Sequence, residues 1–92
     1  MTPGKTYWCN TTGGVSGYTN PGNASYNGYP VFHCVNYWFT YGDTVTIVQK
    51  VYAYPEGSLT GSPLLFYKTS AGMYILSLVE DCFTEAKIGE IV

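Results

Sequence analysis

The chain has 92 residues, 46 % hydrophobic, 17 % aromatic and only 11 % charged, with ten Tyr, four Lys, no Arg and a net charge of −2. That length supports one domain over residues 1–92, since two cores would each be too small to stand alone. The charge balance excludes the basic stripe that nucleic acid requires, and no apolar run approaches the roughly 20 residues that span a bilayer, so membrane insertion is not expected.

In chain order, Thr6-Tyr7-Trp8-Cys9 is rich in strand formers and predicts a short first strand. Asn10 to Pro30 changes character. Gly13-Gly14, Asn20-Pro21-Gly22, Asn27-Gly28 and Tyr29-Pro30 are turn signals. The stretch predicts a long N-terminal loop, punctuated by Tyr18, Tyr26 and Tyr29, and loops of that length are often binding loops. Val31 to Phe39 predicts a second strand with bulky residues on both faces.

Gly42-Asp43 then turns the chain into the clearest alternation of the sequence. Val45, Ile47, Val51 and Ala53 stand at odd positions, and Thr44, Thr46, Lys50 and Tyr52 at even ones. A period of two is the signature of a strand with one buried face, and only Val48 and Gln49 interrupt it. Pro55-Glu56-Gly57 ends the strand, and Ser58 to Pro63 is a loop. Leu64–Thr69 and Met73–Leu78 form a hairpin pair around Ser70-Ala71-Gly72. Val79–Phe83 suits a single helical turn that residues 84–87 could extend, and Ile88–Val92 predicts a closing strand. No segment keeps a helical period over three turns. The expected fold is all-β: a small barrel of five or six short strands.

Catalytic chemistry finds little footing. His33 is the only histidine, and its neighbour Cys34 points to the opposite face of a strand, out of reach as a base–nucleophile pair. Cys9, Cys34 and Cys82 contain no Cys-x-x-Cys pair, so neither zinc nor another cofactor is expected. They are read as small buried hydrophobes, with a Cys9–Cys34 bridge as the alternative in an oxidising compartment. Glu80-Asp81 and Glu85 lack an Arg or a second His to make an acid–base set, and Asp43 reads as a turn residue bonding its own backbone. Gly13-Gly14 with Gly17 lacks the Lys-Ser/Thr of a phosphate loop. Asn10-Thr11-Thr12 and Asn23-Ala24-Ser25 match the glycosylation acceptor pattern, which matters only in a eukaryotic secretory pathway. The protein is not expected to be an enzyme.

Binding fits better. Tyrosine offers an apolar face, a polar tip and little rotamer entropy to lose, which suits sugars and peptides alike. Tyr18, Tyr26 and Tyr29, with Trp38 and Tyr41 beside the next turn, are the candidate ligand-binding residues of one shallow groove. The competing reading is that these rings cap the ends of a small barrel. A third is a lateral assembly surface.

Two stretches resemble the bacterial SH3 domains. Trp38-Phe39-Thr40-Tyr41-Gly42-Asp43-Thr44-Val45-Thr46-Ile47-Val48 is similar to that family's Gly-Asp-x-Val-x-Val strand. Leu65 to Ile75 is similar to its aromatic-Tyr-Lys segment, Gly turn and Tyr-Val/Ile strand. Gly17 to Gly22 lies where the family has its first loop, and Val79 to Phe83 where it has a short helical turn before the last strand. The specific part is residues 42–48 and 66–75. The family's Asn-Val-Arg stretch is missing, the first loop is long, and Pro63-Leu64-Leu65 replaces its Gly-Trp pair. The resemblance implies an SH3-like barrel and a non-catalytic module gripping cell-wall peptide or glycan beside the first loop, through Tyr18, Tyr26, Tyr29 and Tyr41.

Low charge with abundant Tyr, Thr, Asn and Gly favours an extracellular or virion surface over the cytoplasm, with a bacteriophage as one source of such a chain. No apolar segment follows Met1–Lys5, so a secretory signal is not expected in these residues. The expected partner is cell-wall peptide or glycan, or a protein. The alternatives are a self-assembling virion component (decoration or tail) and a small inhibitor of a host enzyme.

Overall fold

The computed structural model describes residues 1–22 and 24–86; the closing strand expected over Ile88–Val92 and the acceptor at Asn23 lie outside the described residues. The strands are β1 (Thr6–Cys9), β2 (Val15–Thr19), β3 (Ser25–Tyr26), β4 (Tyr29–Phe39), β5 (Thr44–Pro55), β6 (Leu64–Thr69), β7 (Tyr74–Leu76) and β8 (Phe83–Glu85). A 3-10 turn over Ser77–Cys82 joins β7 to β8. The small all-β barrel expected from the sequence is what forms. Two of its strands are long, and the expected loop over Asn10–Pro30 contains β2 and β3.

The strands pair in the order β3-β4-β2-β7-β6-β5-β1-β8, and β4 also meets β5 in parallel, Val31 with Tyr54 and Phe32 with Pro55. That second pairing closes β4, β2, β7, β6 and β5 into a five-stranded ring. β1 and β8 extend the sheet from the first half of β5.

A bulge in β5 helps so short a chain bury both sides of its sheet. Ile47 lies opposite Thr69 and Val51 opposite Phe66, so four residues of β5 span three of β6, and the register shifts between Ile47 and Gln49. Val48 is the extra residue. Odd positions before it therefore face one side and odd positions after it the other. Val45 and Ile47 join a cluster with Tyr7, Cys9, Val15, Phe39, Tyr67, Ile75 and Phe83. Ala53, with Val51 beside it, joins Phe32, Phe66 and Tyr74 in a second cluster. The interruption at Val48 and Gln49 is thus the point where one strand passes from one core to the other.

β2 and β4 reach both clusters by plain alternation, across a register shift in which two steps of β2, from Ser16 to Tyr18, match four of β4. Val15 opposes Phe39 in the first cluster, whereas Tyr18 opposes Cys34 and packs against the second. Gly17 sits inside this shift, where a Cβ would meet the movable end of Met73 at 2.5 Å and come into ordinary contact, 3.5 Å, with the rings of Phe39 and Tyr37. β6 and β7 are covered on both sides: Phe66 and Tyr74 face the second cluster, Tyr67 and Ile75 the first. No helix among the described residues is long and apolar enough to cross a membrane.

Candidate functional site

The five predicted site residues do not form one groove. Tyr26 and Tyr29 stand opposite each other in the β3–β4 hairpin, across a two-residue turn. Asn27 and Gly28 both adopt positive φ, 52° and 83°, which is the two-residue hairpin turn that Asn-Gly prefers. The turn swings both rings against buried Tyr54, edge to face, with centroids at 5.0 and 6.2 Å. The Tyr54 hydroxyl donates to the carbonyl of Gly61 at 2.9 Å and so ties the hairpin to the loop after β5. Tyr26 and Tyr29 keep 38 % and 39 % of their surface exposed, enough to present one edge of each ring while the other is braced.

Trp38 stands at the far end of β4, nine residues from Tyr29. At about 3.3 Å per residue, less what the bulge takes up, that separates the two by roughly 25 Å, within a molecule 43 Å long. Trp38 is 56 % exposed and leans over Gly14, which has a positive φ and would bring a Cβ 3.3 Å from the indole. Tyr41, 59 % exposed, meets Trp8 edge to face at 5.6 Å. Tyr18 is half-buried against Phe66. Burial first, then the neighbouring Cys34 thiol, pushes its phenol above the ordinary tyrosine value. Ring-capping of a barrel end therefore describes Tyr18 and the inner edges of Tyr26 and Tyr29, while Trp38 and Tyr41 belong to other parts of the surface.

His33 and Cys34 separate as a strand requires. The His33 Nδ1 lies 2.6 Å from Glu56 Oε1, both side chains about half exposed, and Cys34 turns to Ser16, with Sγ and Oγ 3.0 Å apart. Cys34 is exposed, which corrects its reading as a buried hydrophobe. Cys9 is buried and Cys82 half-buried, and all three are free thiols. The Asp43 carboxylate accepts from the backbone N–H and the hydroxyl of Thr40, the turn role expected of it. Asn10 donates its side-chain amide to the Asp81 carbonyl and the Thr84 hydroxyl, so the first glycosylation acceptor is occupied in holding β8. Among the described residues no three His, Cys, Asp or Glu side chains gather as a metal site.

One residue escapes the sequence reading. The indole Nε1–H of Trp8 is enclosed without a hydrogen-bond acceptor, which is unusual for a buried donor. Trp8 looks like an ordinary strand residue in sequence, and nothing short of the three-dimensional packing marks it.

Comparison of the chain with protein-family models, characterised proteins and solved structures finds no match.

Proposed function

We propose that this chain is a non-catalytic binding module of the bacterial SH3 kind, directed at cell-wall peptide or glycan. The observation that carries the reading is the β3–β4 hairpin. It fixes two exposed tyrosines on a rigid turn and braces them on a third, so little rotamer or loop entropy remains to be lost when a ligand docks. The run β8-β1-β5-β6-β7, with a 3-10 turn ahead of β8, is in line with the resemblance noted in the sequence. The test is co-sedimentation with purified bacterial walls. The parent chain is expected to pellet with the walls, and Tyr26→Ala/Tyr29→Ala to remain largely in solution with an unchanged far-UV CD spectrum. A parent chain that stays in solution would sink the proposal.

A second reading, a virion component, draws on a different observation. Exposed Tyr37, Trp38, Tyr41, Tyr52 and Leu78 stand on β4, the turn after it, β5 and the 3-10 turn, apolar surface on several elements that lateral contact with more than one neighbour would use. Light scattering across a concentration series separates the two readings. A monomer at the highest concentration would rule against assembly.

A further inference from the structure

Trp8 does not stand alone on its face of the sheet. It pairs across β1 with Thr44 on one side and Thr84 on the other, and Thr6 pairs with Thr46 in the adjoining row. The Thr6 and Thr46 hydroxyls lie 3.0 Å apart, so both point the same way. Tyr41 completes the group against the indole. We infer that this outer face of β5, β1 and β8, namely Thr6, Trp8, Tyr41, Thr44, Thr46 and Thr84, is a binding site for a neutral glycan chain. The choice of a glycan rests on the wall-binding proposal above, while the site itself does not.

Threonine alone would be ordinary on an outward strand face. The choice of occupant comes from three features taken together. The six side chains are one indole, one phenol and four threonine hydroxyls, with no carboxylate, imidazole or amine, so a charged ligand would lose hydration here with no counter-charge among them, while a polyhydroxylated neutral one would not. Thr44 and Thr46 lie one strand repeat apart, about 6.8 Å, Thr84 lies across Trp8 from Thr44, and a hydroxyl both donates and accepts, as sugar hydroxyls do. The Trp8 Nε1–H lacks an acceptor, and a sugar oxygen would supply one. Tyr41 is the means of access. Its ring is exposed, and it projects from the Thr40–Asp43 turn instead of from a strand. It can swing off the indole without disturbing either core, and then lie flat against a sugar ring.

The two tryptophans, Trp8 and Trp38, allow a direct test. In a Trp38→Phe background the emission comes from Trp8 alone. Titration with chitohexaose, a neutral N-acetylglucosamine oligomer, is expected to change that emission saturably, with little effect of about 0.5 M NaCl. Thr44→Arg, at an exposed position, and Tyr41→Ala should each weaken the response by about tenfold or more, with Tyr26→Ala/Tyr29→Ala leaving it unchanged. No change of Trp8 emission on titration, or a response indifferent to Thr44→Arg, would overturn the inference. Wall co-sedimentation of Thr44→Arg separates this failure from that of the wider reading. Walls still bound, with Trp8 silent, leave the hairpin reading standing and this one refuted. Wall binding lost in Thr44→Arg without any oligosaccharide response would also refute the glycan, in favour of a peptide on the same face.

Discussion

Phe66 shows how much a single ring can hold together. It meets Tyr18 at 5.2 Å and Phe32 at 4.9 Å, both edge to face, and is fully buried. Phe66→Ala should cost about 3–5 kcal/mol, the range for emptying a buried aromatic site, read as a lower urea midpoint. Two phenols give a second expectation. Burial raises Tyr67 above its usual value, helped by the charge of Glu80, which accepts its hydroxyl at 3.3 Å, and burial raises Tyr18 likewise. The folded state thus favours the neutral phenol. That contribution is fully present below the unfolded-chain value of 10.0 and is lost as pH rises through the higher folded values. Urea midpoints should be level through neutral pH and fall above about pH 10. Tyr67→Phe should flatten the fall, and ultraviolet titration should show the phenols of Tyr67 and Tyr18 ionising above the ordinary tyrosine value. At the hairpin, Gly28 has a φ of 83°, so Gly28→Ala should cost about 1–2 kcal/mol. Asn27→Gly should be tolerated.

Among the elements, β5 is where sequence and structure can best be compared. Its strand character was legible because alternation depends only on which residues are apolar. Its face was legible only in part. Val45 and Ile47 were expected to share a core face with Val51, and all are buried or half-buried, but Val48 sends them to different cores. A bulge conserves parity while reversing the side, so periodicity alone cannot reveal it. β2 escaped notice for a related reason: Val15-Ser16-Gly17-Tyr18-Thr19 has one aliphatic residue, and its strand is induced by pairing with β4 instead of by its own propensity. The site suffered most, because nearness along the chain stood in for nearness in space, and β4 holds Tyr29 and Trp38 far apart. The bulge itself can be tested. Val48→Thr, at an exposed position, should move stability by about 0.5 kcal/mol or less. Deleting Val48 should keep a single cooperative urea transition, because Ile47, Gln49, Lys50 and Val51 would then alternate plainly opposite Thr69, Lys68, Tyr67 and Phe66, with every later residue of β5 on its present side.

At the scale of the whole molecule, two apolar clusters lie on opposite sides of shared strands β5, β6 and β7. Neither can lose its strands without exposing the other. Phe39→Ala in the first cluster and Phe66→Ala in the second should therefore each shift one common transition, with near- and far-UV CD melting together. Separate transitions would show that the clusters fold independently.

The parallel contact between β4 and β5 sets the order in which this architecture can come apart. Residues 31 to 55 form a noose, its two ends fastened by Val31 with Tyr54, Phe32 with Pro55, the Glu56 N–H on the Phe32 carbonyl at 2.8 Å, and His33 against Glu56. Such a fastening joins points more than twenty residues apart, and the chain must give up loop freedom before any of it forms. It should therefore form late in folding and open early in unfolding. Amide exchange at Glu56 should outpace exchange in the middle of β6.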